Sequence, residues 1–398
     1  MPTALPRSEV KKNQTWNAES VFASPAEFDA EVKNILESLP AIKAFQGRLG
    51  EGPEAFLEAA EAMEILAQRA AKIQVYATMS SSVDATDPRG AELQSKASSA
   101  LAQVSAATAF VDPELLGIGE NRLRQWLQDD PRMKLYEHYF NDLFRKQSHV
   151  RSAEVEELLG MLRDPFFSTR NTTSMLANAD FRFKPARGSE NEKVEVTQST
   201  YHSILTGADR KARRTAWENY NDKYLEFRHT LAGNLSTSIK QNVFNMRARH
   251  FSSSLEATLF NGNVPVEMFH NLLDIFKKNL PLWHRYWKIR RKALGVRTLH
   301  PYDVWAPLNT KKHKVPFEKA VDWICEGLTP MGAEYVSVMR KGCLEDRWVD
   351  WSPNAGKRQG AFSTRVPRDT HPFIMMSYTD GVESMSTLSH ELGHSMHA

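Results

Sequence analysis

The chain has 398 residues, enough for two or three units and a large core, so disulfides are not needed for stability. Its 41% hydrophobic and 25% charged content is that of a soluble globular protein, and a net charge of +3 is too small to suggest nucleic acid as a main partner. Two cysteines, Cys325 and Cys343, cannot build a disulfide framework or a Cys-rich zinc site. The N-terminal residues carry no apolar run ahead of their charges, and no stretch approaches 18 uninterrupted apolar residues. The expectation is a cytoplasmic protein in a reducing compartment, with no membrane partner.

Residues 1–20 read as a loose polar arm. Ser24-Pro25-Ala26-Glu27 then gives a cap, a first-position proline and a glutamate three residues after the cap. Phe28, Val32, Ile35, Leu36 and Leu39 follow at helical spacing, and Pro40 is expected to end that helix. Further helices are expected at about 53–79 and 87–110, with a break at Asp112-Pro113, and then at about 120–128, 131–147 and 152–163. Phe181-Arg182-Phe183 and Val194-Glu195-Val196, around a turn at Gly188–Asn191, predict a hairpin. A domain boundary is placed near residue 198, giving an N-terminal helical domain 1–198 and a second domain 199–398.

Helical periodicity resumes over 199–206, 210–246, 265–294 and about 316–340. Lys288-Ile289-Arg290-Arg291-Lys292, with Trp283, Tyr286 and Trp287, reads as a solvated helix face whose aromatics pack in the core. Lys311–Lys314 reads as an exposed loop. Gly356 and Gly360 flank a turn, Ala361–Ser363 is short and strand-like, and Pro372–Tyr378 reads as a second strand. The fold class is mainly α, with a small β element beside the last helix.

That last helix carries the chemistry. Asp380 is placed to cap it, with Glu383 at the positive end of its dipole. Each residue turns an α-helix by about 100°, so His390 and His394 stand about 40° apart on one face. Two imidazoles so placed can bind one zinc ion at about 2.0–2.1 Å each. Glu391 lies beside His390, where a carboxylate can act as general base on a water at the metal. His397 shares the same face. Three histidines on one straight helix converge poorly on a tetrahedral ion, so His397 is expected to support the ligands from outside, with a third ligand or a plain surface residue as alternatives.

His390-Glu391-Leu392-Gly393-His394-Ser395-Met396-His397 resembles the H-E-x-G-H-x-x-H motif of the thimet oligopeptidase-like (M3) metallopeptidases. The likeness is greater to their oligoendopeptidase F branch, in Gly356–Ser363, in Pro372–Tyr378 followed by Thr387–His390, and in Leu176–Asp180 with the hairpin after it. The resemblance implies a multi-helix oligopeptidase fold and a metalloendopeptidase that cleaves short peptides. It implies one zinc ion per subunit, held by His390 and His394, with Glu391 as the catalytic base and Gly393 permitting close packing of the helix. It also implies that Phe373, Ile374, Met375, Met376, Ser377 and Tyr378 bind the peptide by strand addition. The family's third zinc ligand is a glutamate on a helix further downstream, whereas only Ser395–Ala398 follow the motif here. The expectation is therefore a chain that lacks the C-terminal segment carrying the third ligand. The rival readings are an inactive peptide-binding helical module and one half of a split enzyme.

Overall fold

The structure is a computed structural model that describes residues 5–397, except 152–154, 156, 157, 160, 161, 163, 164, 167, 170, 171, 174, 175, 199, 310–313 and 359. Most of the helix expected at 152–163, and most of the loop expected at 311–314, lie outside the described residues. The rest is mainly α-helical, with a two-stranded and a three-stranded sheet. The chain groups into two compact units, Met1–Leu143 with Lys312–Ala398, and Phe144–Lys311. Residue 198 lies inside the second, because the first unit is assembled from both ends of the chain.

In the first unit the helix Pro25–Lys43 starts as its cap predicts, the Ser24 hydroxyl accepting from Glu27 N. It does not stop at Pro40, which sits inside the helix. So close to the C-terminus the missing proline N–H removes one bond, and Ala44 N still donates to Pro40 O at 3.1 Å. Pro53–Val83 and Pro88–Thr108 pack with it around Phe28, Ile35, Ile73 and Met79. The region expected as one helix at 316–340 is two, Phe317–Gly327 and Ala333–Leu344, divided where Gly332 takes φ 102°.

The three-stranded sheet has Phe373–Met375 at its centre. It pairs in parallel with Val349–Asp350 and antiparallel with Phe362–Thr364. Side chains alternate across a strand, and both faces here are covered. Phe373 and Met375 enter the core of the N-terminal helices, while Ile374 and Met376 enter a second core with Phe317, Leu388 and Leu392. Strand Val349–Asp350 escapes sequence reading because two residues carry no periodicity.

The first twenty residues are not a loose arm. Ala355 N donates to Leu5 O at 2.8 Å, Trp351 N to Gln14 O at 3.1 Å and Asn17 N to Arg347 O at 2.8 Å. The segment thus runs as a strap along 347–355, with Trp16 buried. Arg7 grips Asp350 through two nitrogens at 3.0 and 2.5 Å, and Lys357 Nζ meets the same carboxylate at 2.6 Å. Asp350 is fully buried, and burial lowers the Lys357 pKa against the pull of Asp350. Lys357 also donates to the Asp350 and Ser352 carbonyls, so its three protons are all used. All these partners lie more than 300 residues from the arm or inside an irregular turn, and no local pattern announces them.

The second unit holds the antiparallel pair Ala186–Arg187 and Lys193–Val194. The hairpin is where expected, but its first arm lies five residues later than Phe181, whose ring instead packs edge-on against Tyr224 at 4.9 Å. The helix expected at 210–246 divides at Phe227 into Arg210–Glu226 and Arg228–Ala248. Buried Asp303 pairs with Arg210 and Arg213 at the start of the first of these. Helix Val266–Ala293 ends near its expected limit. Its aromatics are not in a core, however, because Trp283 and Tyr286 are 47% and 44% exposed. Cys325 and Cys343, in the first unit, are buried free thiols, and burial pushes Cys343 up to about 12.

Two stability predictions follow from these contacts. Asp350→Ala leaves Lys357 buried without its counter-charge and should cost about 3–5 kcal/mol in denaturant unfolding. Gly393, on the helix Val382–His397, is exposed, and a Cβ built there meets nothing within 4 Å. Close packing of Gly393 is therefore not found among the described residues. Gly393→Ala should raise stability by roughly 0.5–1 kcal/mol through helix propensity alone, and an unchanged or lower melting temperature would contradict that.

Candidate active site

The helix Val382–His397 begins after a left-handed residue, Asp380 at φ 53°. Asp380 was expected to cap through its carboxylate, but that group reaches Lys314 at 3.5 Å instead, and the Asp380 carbonyl accepts from Val315 N. The start is fixed by other groups: Met385 N donates to Gly381 O, and Thr379 N donates to the Ser384 hydroxyl at 3.1 Å. Glu383 stands in the first turn, as expected.

One face of this helix is buried through Ser384, Leu388, Glu391, Leu392 and Ser395. Leu388 and Leu392 pack on Ile374, Met376 and Tyr378, which seats the helix on the central strand. Ser395 Oγ donates to Glu391 O at 3.0 Å and lies 2.8 Å from Ser363 Oγ on the edge strand. This serine clasp was not anticipated, since neither residue stands out from its neighbours in the sequence.

The opposite face carries the histidines. His390, His394 and His397 are all exposed. His390 Nε2 and His394 Nε2 stand 3.2 Å apart, with ring planes nearly perpendicular. Two nitrogen ligands of a tetrahedral zinc, each about 2.0–2.1 Å from the ion, stand about 3.3 Å apart. The pair therefore fits two corners of such a site. Glu391 is 7% exposed and follows His390 directly, so a carboxylate on the buried side adjoins an imidazole on the open side. His397 makes no hydrogen bond to either histidine among the described residues. No group of three or more His, Cys, Asp or Glu that could hold a metal occurs among the described residues.

The expectation that Phe373–Tyr378 pairs with a peptide needs correction. Phe373, Ile374 and Met375 are fully buried, and their strand has a partner on each edge. Met376 N and Tyr378 N donate to Asp350 O and Trp351 O, and the Tyr378 hydroxyl donates to Val315 O at 2.8 Å. Burial pushes that hydroxyl up to about 12. Ser377 alone is exposed. An added strand needs a free edge, and Phe373–Met375 has none. In the three-stranded sheet, the outer edge of Phe362–Thr364, beside the helix, has no backbone partner among the described residues.

No helix among the described residues is long and apolar enough to cross a membrane. Residues 203–398 match Peptidase family M3, and residues 114–183 match Oligopeptidase F. The chain is 34% identical over 393 residues to "Oligopeptidase PepF" of Bacillus subtilis, covering 98% of this chain and 58% of that protein. It is 32% identical to "Group B oligopeptidase PepB" of Streptococcus agalactiae, covering 98% and 65%. Among solved structures, a putative peptidase from Chlamydophila abortus superposes with a TM-score of 0.77 at 28% identity, over 99% of this chain and 66% of that one. Oligoendopeptidase-F from Enterococcus faecium gives 0.68 at 32% identity, over 80% and 60%. The chain thus spans about three-fifths of the length of these curated relatives. With its terminal histidine helix, its mainly α fold and these matches, the chain belongs to peptidase family M3, among the oligoendopeptidase F homologues.

Proposed function

We propose that this chain carries the metal-binding helix and the general base of a zinc-dependent endopeptidase acting on short peptides. The observation that supports it most is the 3.2 Å approach of His390 Nε2 to His394 Nε2 on the open face of the terminal helix. His390 and His394 would hold the ion. A zinc ion so held supplies Lewis acidity, bringing the pKa of a coordinated water down to about 7. Glu391 accepts the proton of the water that attacks the peptide carbonyl and returns it to the amine as the bond breaks. Glu391 is mostly buried, and the hydrogen bond from Ser395 Oγ to Glu391 O fixes its backbone. The edge of Phe362–Thr364 offers backbone groups to an extended peptide, which suits unfolded substrates. The third ligand, by resemblance a glutamate, is not assigned to any residue of this chain.

A second reading is a peptide-binding module without chemistry, and it is favoured by the two-ligand geometry. Zinc titration and a quenched fluorescent oligopeptide separate the two. On the catalytic reading, cleavage is abolished by a chelator and restored by zinc. Glu391→Gln lowers the rate by about 10²–10⁴-fold while leaving zinc binding within a few-fold. His394→Ala weakens zinc binding by at least about tenfold. Zinc-dependent cleavage that survives Glu391→Gln would remove Glu391 from the mechanism, and peptide binding with no cleavage would favour the module.

A further inference from the structure

In the edge strand Phe362–Thr364, Ser363 stands opposite Ile374 of the central strand. Ile374 N donates to Trp348 O, on the far side of that strand. The N–H and C=O of one strand residue point to the same side, and those of its neighbours point to the other. Phe373 and Met375 therefore bond to Thr364 and Phe362, and Ser363 with Ile374 is the pair that exchanges no hydrogen bonds. Of the three edge residues, Ser363 is the one whose backbone N–H and C=O turn outward, where they have no backbone partner among the described residues. Its side chain goes elsewhere. Opposed residues share a face of a sheet, so Ser363 lies on the face of Ile374, which the terminal helix covers. There its hydroxyl lies 2.8 Å from Ser395 Oγ. Ser395 Oγ has one proton and gives it to Glu391 O at 3.0 Å, so Ser363 is the donor to Ser395.

Two hydrogen bonds thus run in series from the residue with the open backbone groups to the backbone of the residue beside His390. Leu388 and Leu392 seat the helix on the sheet through apolar contact, which has no direction of its own. The serine pair adds a directional tie between helix and edge strand. We infer, on the reading of this edge as the peptide's seat, that Ser363 and Ser395 set the spacing between a bound peptide and the histidine face. The outward N–H and C=O of Ser363 pair with one residue of an extended peptide, and the serine chain holds that point at a fixed offset from Glu391 and His390. Wherever along its length a peptide pairs with Ser363, an amide then lies at the same offset. Alignment comes from backbone groups and not from side-chain pockets, which suits short peptides of varied sequence. Ser395 is a positioning residue, acting through Ser363 on one side and Glu391 on the other.

Neither metal nor turnover is needed for the test. In hydrogen exchange of the whole chain, the Ser363 amide should exchange faster than those of Phe362 and Thr364, and a short extended peptide should slow it selectively. The peptide used carries N-methyl groups on every backbone nitrogen but one, so it can pair in a single register, and a benzoylphenylalanine beside that nitrogen for photocrosslinking. Crosslinks should gather on one turn of the terminal helix, about four residues. In Ser363→Ala and in Ser395→Ala they should spread over about two turns or more, with the melting temperature and peptide affinity little changed. Ser363→Thr keeps the hydroxyl and should restore the single turn. The double alanine variant should spread the crosslinks no further than either single one, because both break the same link. A Ser363 amide already protected in the chain alone, or slowed by no peptide, would overturn the reading of the edge and the alignment with it. Selective protection of Ser363 with crosslinks unchanged in both alanine variants, or equally spread in Ser363→Thr, would overturn the alignment alone and leave the edge as the peptide's seat.

Discussion

A three-residue strand, Phe373–Met375, organises the first unit. It is buried on both faces and paired on both edges. Its odd positions close the core of the N-terminal helices and its even positions support the terminal helix. Each of its side chains contributes on the order of 1.5–3 kcal/mol by burial. The larger effect is positional. Leu388 and Leu392 rest on this strand, so the direction in which His390 and His394 face depends on where the sheet lies.

The sheet is in turn held at its borders. Arg7, Asp350 and Lys357 form a buried charged group at one edge, where the N-terminal strap lies. Ser363 and Ser395 tie the other edge to the helix. One border is closed by backbone and ion pairs, while the other keeps its outer edge unpaired. That asymmetry suits a site that needs a rigid back and an accessible front.

The terminal helix was legible because its signals are local: histidines four apart, leucines at 388 and 392, and an acidic first turn. The strand Phe373–Met375 was legible as a strand but not in its role. A continuous apolar run marks a strand covered on both faces, but it says nothing of the edges, and here both are paired. The free edge belongs to Phe362–Thr364, whose short, half-buried sequence gives little signal. The helix break at Phe227 was hidden inside a run of good helix formers, whereas Pro330 and Gly332 do mark the second break in the sequence. The grip of Arg7 on Asp350 spans 343 residues, and no window along the chain can contain it. The open aromatics of Trp283 and Tyr286 were misjudged because amphipathicity tells which face is apolar, but not what covers it.

The pairing of the chain's two ends also sets an order of events during synthesis. The core around Phe28, Ile73 and Met79 is completed by Val366, Phe373 and Met375. The helices up to Thr108 leave the ribosome about 270 residues before that strand, a wait of roughly 15–50 s at ordinary elongation rates. Over that interval the newborn helices hold together on their own contacts, with an apolar face still open. Chaperone dependence and losses to aggregation should therefore concentrate in nascent chains of intermediate length, not in the finished protein.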